Sequence, residues 1–325
     1  MQLKKNLPLF YKETEAALQT TEAYIERTLV SDNDVINEAA RYLLKSGGKR
    51  LRPGLLLLGG RCGEYNEEKL IPFAAAIEII HMASLVHDDI VDNAPLRRGK
   101  PTIAAKWDAN TALFTGNFML SKALELAASY GDRTLIDTAY ATASAMCRGE
   151  FAQMRMIDHP DFRTDTYLIR VKRKTAYLIS AACEMGGYLC KAETKTQTAL
   201  RQFGEYIGMA FQITDDILDY QGDEKFGKAA GNDIAEGLAT LPLIYAWQDK
   251  NNRELIEKVF AKDQKTKAEI DAVIRVVTAA GSDKMATQIA KRYIAKAKKS
   301  LSHVTDPKAN ACFNEIADFI ITRNI

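Results

Sequence analysis

Apolar residues recur at helical spacing along almost the whole chain, and no segment alternates apolar and polar residues between turns as a half-buried strand does. Val35, Ile36, Ala39, Ala40, Leu43 and Leu44 form one apolar stripe, and Ile289, Tyr293, Ile294 and Ala297 form another. Pro53, Pro72, Pro95, Pro101, Pro160, Pro242 and Pro307 stand at the edges of periodic segments, where proline is tolerated or ends a helix. The spacing predicts about ten to thirteen helices. No Gly/Ser-rich linker interrupts the pattern, so residues 1–325 read as one domain. That domain is all-α, a large helical bundle with its site in a central cavity between facing helices. A chain of 325 residues that is 47% hydrophobic can fill such a core, which excludes disorder.

The charge pattern excludes other classes. Net charge is +2, with both signs spread along the chain, so there is no single-sign field for nucleic acid. The basic run from Lys291 to Lys299 reads as a solvated helix face. Five widely spaced cysteines (Cys62, Cys147, Cys183, Cys190 and Cys312) contain no C-x-x-C pair and read as buried thiols in a reducing compartment. Only a few apolar residues precede Lys12 and Glu13, too few for a signal peptide. No stretch is expected to approach the roughly 18 apolar residues that span a bilayer. The expectation is a cytoplasmic protein without a transmembrane segment. Gly222 to Gly237, with four glycines and no stripe, reads as a candidate lid or binding loop.

The chemistry enters through a duplication. Asp88-Asp89-Ile90-Val91-Asp92 returns as Asp215-Asp216-Ile217-Leu218-Asp219, and each copy ends an apolar helical run. With 22 aspartates in the chain, two such copies are expected by chance in well under roughly one sequence in fifty. Residues at i and i+4 share a helix face, so Asp88 projects with Asp92, and Asp215 with Asp219. Like charges at that spacing destabilise a bare helix and call for a cation. An all-oxygen carboxylate site suits Mg²⁺, which keeps waters and shares positions with phosphate. Two solvated acidic helix ends are the plain alternative. A di-iron bundle would need two Glu-x-x-His motifs, and only Glu78-Ile79-Ile80-His81 is present.

Two basic clusters complement the carboxylates. Gly47-Gly48-Lys49-Arg50-Leu51-Arg52-Pro53 stops one helix and starts the next, which gathers backbone amides, a helix N-terminus and three cations. Arg97 and Arg98 follow the first aspartate motif, and arginine suits bidentate contact with phosphate.

Together with IHMASLVHDDIVD, RRGKPT, KRKTA, FQITDDILDY and GNDIAEGLATLP, these segments resemble the trans-isoprenyl diphosphate synthase family from about Ala40 to Ala246. The stretch from Arg98 to Trp107 is similar to the catalytic large subunit of heptaprenyl diphosphate synthase. The resemblance implies an enzyme that condenses isopentenyl diphosphate with an allylic diphosphate into a trans-polyprenyl diphosphate for a quinone side chain. It implies that Asp88, Asp92 and Asp215 bind Mg²⁺ bridging to the allylic diphosphate, with Asp219 in the same second motif through water. Arg97, Lys174 and Lys228 would hold the allylic diphosphate. Lys49, Arg52, His81 and Arg98 would hold that of isopentenyl diphosphate, and Thr175 and Gln212 would line the reacting carbons. The expected assembly is a homodimer, with a small regulatory subunit as an addition. Two departures stand out: many relatives have Gly-Asp where this chain has Gly116-Asn117, and lysine where it has Leu238.

Ser84 is one turn, about 6 Å, deeper than Asp88 on nearly the same face, with Ala83 beside it. In the family a bulky aromatic here closes the pocket for short products, so small Ala83 and Ser84 imply a product longer than geranylgeranyl. Close helix packing is the competing reading, and geranylgeranyl or farnesyl diphosphate synthesis the alternative function. A class I terpene cyclase would lack the second aspartate motif, and a non-catalytic synthase subunit would be expected to have lost one of them.

Overall fold

The computed structural model describes residues 8–221 and 230–322, and helices account for most of them. They number more than thirteen, because short helices such as Ile103–Lys106 and Asn232–Glu236 are too brief to display a stripe. Among the described residues there is also an antiparallel ladder of two-residue strands, Leu96–Arg97 and Lys100–Pro101, too short to show alternation in sequence. Arg98 at φ 55° and Gly99 at φ 75° make its turn, with the positive angles that match hairpin twist.

The chain divides into two compact units. The first comprises residues up to Ser144, Leu178–Gly204 and Ser300–Ile316. Its core helix, Glu67–Val91, packs against the Pro8–Thr28, Leu51–Gly60 and Ala109–Ala128 helices. The Asn66 side chain accepts from the Lys69 N–H at 3.2 Å, and Glu67 and Glu68 face the positive end of the helix dipole. Leu70, Phe73, Ile77, Ile79, Ile80 and Val86 are buried, each contributing about 1.5–3 kcal/mol. This helix corrects two expectations. Pro72 lies inside it rather than at its edge. An 18-residue window reaches a mean hydropathy of 1.6, enough by length and composition to cross a membrane, although 72% of it is buried in the protein. Glu78 and His81 interrupt the run and hide it from a search for unbroken apolar stretches.

The second unit comprises Ala145–Tyr177, Glu205–Lys299 and the chain from Ala317 onward. Tyr167, Ile213, Ile217, Ile234, Leu243, Ile244, Val273, Val277 and Ala290 form its buried core. Phe162 stacks on Trp247 at 5.0 Å at the edge of that cluster.

All five thiols are free. Cys183, Cys190 and Cys312 are buried, and burial pushes half-buried Cys62 up to about 12. Cys147 is exposed on an outward face of the Arg133–Asp158 helix, against the expectation that all five are buried.

Candidate active site

In the first unit, the aspartate motif closes the Glu67–Val91 helix. Asp92 is its C-cap residue, with its N–H 2.8 Å from the Asp88 carbonyl. Asp88 is partly exposed and Asp92 exposed, whereas Asp89 is buried. Asn93 at φ 47° turns the chain, and the hairpin beyond it brings Arg97 back onto Asp89. The guanidinium Nε and Nη2 lie 2.8 and 2.7 Å from Asp89 Oδ1. Burial raises the Asp89 pKa, and Arg97 opposes the rise.

The first basic cluster contains one residue that the expected anion site must do without. Arg50 is buried, with Nε 2.7 Å from Glu22, Nη1 2.9 Å from Glu78 and Nη2 donating to the Leu44 carbonyl at 2.9 Å. It clamps three helices, which leaves Lys49 and Arg52 of the three cations the sequence gathers there. Lys49 is exposed, and its carbonyl accepts from the Tyr11 hydroxyl at 2.8 Å. Arg98 donates to the Gly47 carbonyl, which ties the two basic clusters together. His81 lies within electrostatic reach of Arg52, Arg98, Arg97 and Arg50. Burial first, and these charges after it, hold its imidazole well below the usual histidine pKa.

Ala83 is buried and Ser84 partly so, with Ser84 Oγ donating to the His81 carbonyl at 2.9 Å. Gly116 marks a close helix approach, since a Cβ there would lie 2.4 Å from His87 Nε2. The Asn117 side chain hydrogen-bonds His87. This departure from the family pattern therefore touches the residue preceding Asp88.

In the second unit, Asp215, Asp216 and Asp219 sit near the end of the Thr194–Gln221 helix. Asp215 and Asp219 are partly exposed and Asp216 is buried. Asp219 Oδ1 accepts from the Asn232 N–H at 3.2 Å, and Oδ2 from the Asp233 N–H at 3.0 Å. It thereby anchors the short Asn232–Glu236 helix, so part of the segment read as an irregular loop is helical. Residues 222–229 of that segment, including Lys228, lie outside the described residues.

Lys174 and Thr175 stand on a π-helical turn, Lys172–Ala176, between the Thr164–Val171 and Tyr177–Leu189 helices. Such turns widen a helix by one residue and re-aim its side chains. Lys174 Nζ lies 2.6 Å from Glu150 Oε2. Thr175 Oγ1 donates to Gln212 Oε1 at 2.8 Å, and Gln212 Nε2 donates to Asp216 Oδ1 at 2.8 Å. These residues line a polar cavity of about 140 Å³ with Gln153, Arg170, Asp233 and Glu236, and with Leu238, the other departure. Burial, and then the charges of Asp216 and Asp219, raise the Asp233 pKa well above the carboxylate range.

Sequence reasoning missed Glu150, Gln153, Tyr167, Arg170 and Asp233. Asp233 lies inside the GNDIAEGLATLP segment and could have been weighed there as a further acid. The others carry no local pattern.

The polyprenyl synthetase family model matches residues 33–277. Component 2 of the heptaprenyl diphosphate synthase of Geobacillus stearothermophilus is 38% identical over 98% of this chain and 99% of its own. The geranylgeranyl diphosphate synthase of Methanosarcina mazei is 32% identical over 90% of this chain and 91% of its own. A crystal structure of a Caulobacter crescentus polyprenyl synthase, complexed with calcium and isoprenyl diphosphate, superposes with a TM-score of 0.91 at 31% identity and covers 98% of each chain. With the sequence motifs intact and the helical fold shared, the chain belongs to the polyprenyl synthetase family and is a trans-prenyltransferase.

Proposed function

We propose that the protein extends an allylic diphosphate with isopentenyl diphosphate in a Mg²⁺-dependent reaction and releases a long-chain trans-polyprenyl diphosphate of the kind attached to quinones. The observation that carries this reading is the paired use of the motifs. Each unit turns its middle aspartate inward and leaves an outer pair, Asp88 with Asp92 or Asp215 with Asp219, accessible to solvent. Among the described residues no group of three His, Cys, Asp or Glu side chains is arranged as a closed metal site. Two carboxylates per motif suit a hard cation that retains waters and shares phosphate oxygens.

Asp88, Asp92 and Asp215 would hold the metal ions, with Asp219 acting through water. A Mg²⁺ ion held by these carboxylates would supply charge neutralisation to the diphosphate leaving group. Arg97 and Lys174 bind the allylic diphosphate; Lys49, Arg52 and Arg98 bind that of isopentenyl diphosphate, with neutral His81 among them. Thr175 and Gln212 present oxygens that stabilise the allylic cation as the C–O bond breaks. The isopentenyl double bond, held close by its own diphosphate, attacks that carbon. A proton is then lost to the released diphosphate.

Small side chains at Ala83 and Ser84 support a product beyond geranylgeranyl. The relatives' names run from geranylgeranyl through heptaprenyl to nonaprenyl, and the geranylgeranyl synthase among them is the reason to keep the shorter product as a second reading. The G. stearothermophilus relative is named as one component of a synthase, which supports a partner subunit here in place of, or added to, a homodimer. The free thiols support a cytoplasmic setting.

The test is incubation of purified protein with labelled isopentenyl diphosphate, farnesyl diphosphate and Mg²⁺, followed by chromatography of the products. Elongated prenyl diphosphates are expected, and cyclised hydrocarbon or unreacted substrate would overturn the reading. Asp88→Ala and Asp215→Ala should each lower kcat by several orders of magnitude, and retention of more than about a tenth of it would remove the metal assignment.

A further inference from the structure

The two aspartate motifs treat their middle residue alike. Asp89 is 4% exposed and Asp216 is 5% exposed, while the flanking aspartates keep access to solvent. Protein donors, moreover, already serve the buried carboxylates. Both Arg97 contacts fall on Asp89 Oδ1, at 2.8 and 2.7 Å. Asp216 Oδ2 accepts from the Tyr167 hydroxyl at 2.6 Å, and Oδ1 accepts from Gln212 Nε2 at 2.8 Å. We propose that Asp89 and Asp216 are positioning residues rather than metal ligands: Asp89 aims Arg97 at the allylic diphosphate, and Asp216 aims Gln212 and, through it, Thr175.

The polarity of the second chain follows from its anchor. The amide nitrogen of Gln212 faces Asp216 Oδ1 at 2.8 Å, which turns the amide oxygen the other way. That fixes Gln212 Oε1 toward Thr175, whose hydroxyl donates to it at 2.8 Å. With its proton committed, Thr175 Oγ1 is left with lone pairs alone for anything placed against it. An oxygen in that state stabilises positive charge on a neighbouring carbon. Arg170 lines the same cavity. It is buried, donates through Nη1 to Gln153 Oε1 at 2.8 Å, and has no hydrogen-bond partner at Nε. Its charge balances that of Asp216 without competing for the oxygen atoms that Tyr167 and Gln212 use.

This inference rests on the prenyltransferase reading, and the contrast between asparagine and alanine separates the two. Asparagine at 216 keeps an oxygen for Gln212 and can donate to Tyr167, and asparagine at 89 keeps the oxygen that receives Arg97. Neither is an adequate substitute for a carboxylate on a hard cation. The experiment measures the Mg²⁺-dependent thermal shift with inorganic diphosphate, together with steady-state kinetics using isopentenyl and farnesyl diphosphates. Asp89→Asn and Asp216→Asn should keep the wild-type thermal shift and stay within about fivefold of its kcat/KM, whereas Asp88→Asn and Asp215→Asn should lose the shift. Asp216→Ala should lower kcat by at least about thirtyfold with both KM values near wild type, and Asp89→Ala should raise KM about tenfold for the allylic substrate alone. Loss of the thermal shift in either middle-position asparagine variant would overturn the proposal, as would alanine and asparagine variants that are kinetically alike. Failure of the wild type to elongate would instead refute the functional reading beneath it.

Discussion

Lys174 Nζ lies 2.6 Å from Glu150 Oε2, and the two side chains are 26% and 13% exposed, so this ion pair is largely shielded from water. Gly149 makes the contact possible. A Cβ there would lie 2.7 Å from the Lys174 backbone nitrogen, so the Arg133–Asp158 helix could not approach the π turn so closely with any other residue. Glu150 pairs with the lysine, and in the proposed reaction the diphosphate would have to share the cation with it.

A double-variant measurement tests that sharing. Lys174→Ala should raise KM for the allylic diphosphate about tenfold or more, since a charge-assisted contact contributes about 1.5–3 kcal/mol. Much of the loss should come from Glu150, left as an unpaired and shielded negative charge beside the incoming diphosphate. Glu150→Ala combined with Lys174→Ala should therefore bind the allylic substrate better than Lys174→Ala alone. An additive worsening would show that Glu150 does not face the diphosphate.

Arg50 permits a stability test. Removing it leaves Glu78, itself buried, without its counter-charge and frees the Leu44 carbonyl. Arg50→Ala should destabilise the protein by about 3–5 kcal/mol in denaturant unfolding. Replacing both partners, as Arg50→Met with Glu78→Met, should recover most of that loss, because no buried charge remains unpaired. An equally unstable double variant would mean that the packing of the guanidinium matters more than its charge.

These pairs show where sequence reading stops. The aspartate motifs were legible because metal and phosphate chemistry restricts residue type and spacing within five consecutive positions. The partners of Arg50 at 22 and 78, and of Asp216 at 167, lie 28 and 49 residues away. Only the fold brings them together. One letter also stands for opposite roles: Asp88 and Asp89 are neighbours, yet helical rotation leaves the first partly open to water and sends the second into the core. The helical class was legible from the repeat of apolar residues. The π turn carrying Lys174 and Thr175 was not, because one extra residue in a helix leaves no mark on composition or stripe. Cys147 escaped for the reverse reason: free cysteine is usually buried, and the helix face it occupies is set by packing.

His81 should leave a signature in the pH dependence of stability. Burial and the charges of Arg52, Arg98, Arg97 and Arg50 depress its folded-state pKa well below the unfolded value of 6.5. A histidine with a lowered folded pKa favours folding fully above its unfolded pKa. Below it the unfolded chain takes up a proton that the folded chain does not, so the contribution is lost as pH falls. Urea unfolding at pH 7.5 and 5.5 should show the wild type losing about 1 kcal/mol more than His81→Asn over that interval. Equal losses in the two proteins would mean that His81 accepts its proton in the folded state.

Product length offers the most discriminating measurement. Ser84 stands one turn before Asp88 and turns its hydroxyl to the His81 carbonyl, with buried Ala83 beside it. Ala83→Tyr or Ser84→Phe should shorten the product to farnesyl or geranylgeranyl diphosphate while leaving the first condensation nearly intact. A side chain one turn below the aspartates crosses the path of a growing tail without reaching the bond that ionises. Each isoprene unit excluded also forfeits apolar burial at about 0.8 kcal/mol per CH₂, so longer chains lose the affinity that would draw them in. If these small residues serve only helix packing, the outcome differs: an overpacking penalty of about 1–3 kcal/mol, a lower Tm and unchanged product length. Thermal melts and product chromatography on the same preparation decide between the two. A destabilised variant that still makes the wild-type chain length would remove Ala83 and Ser84 from length control.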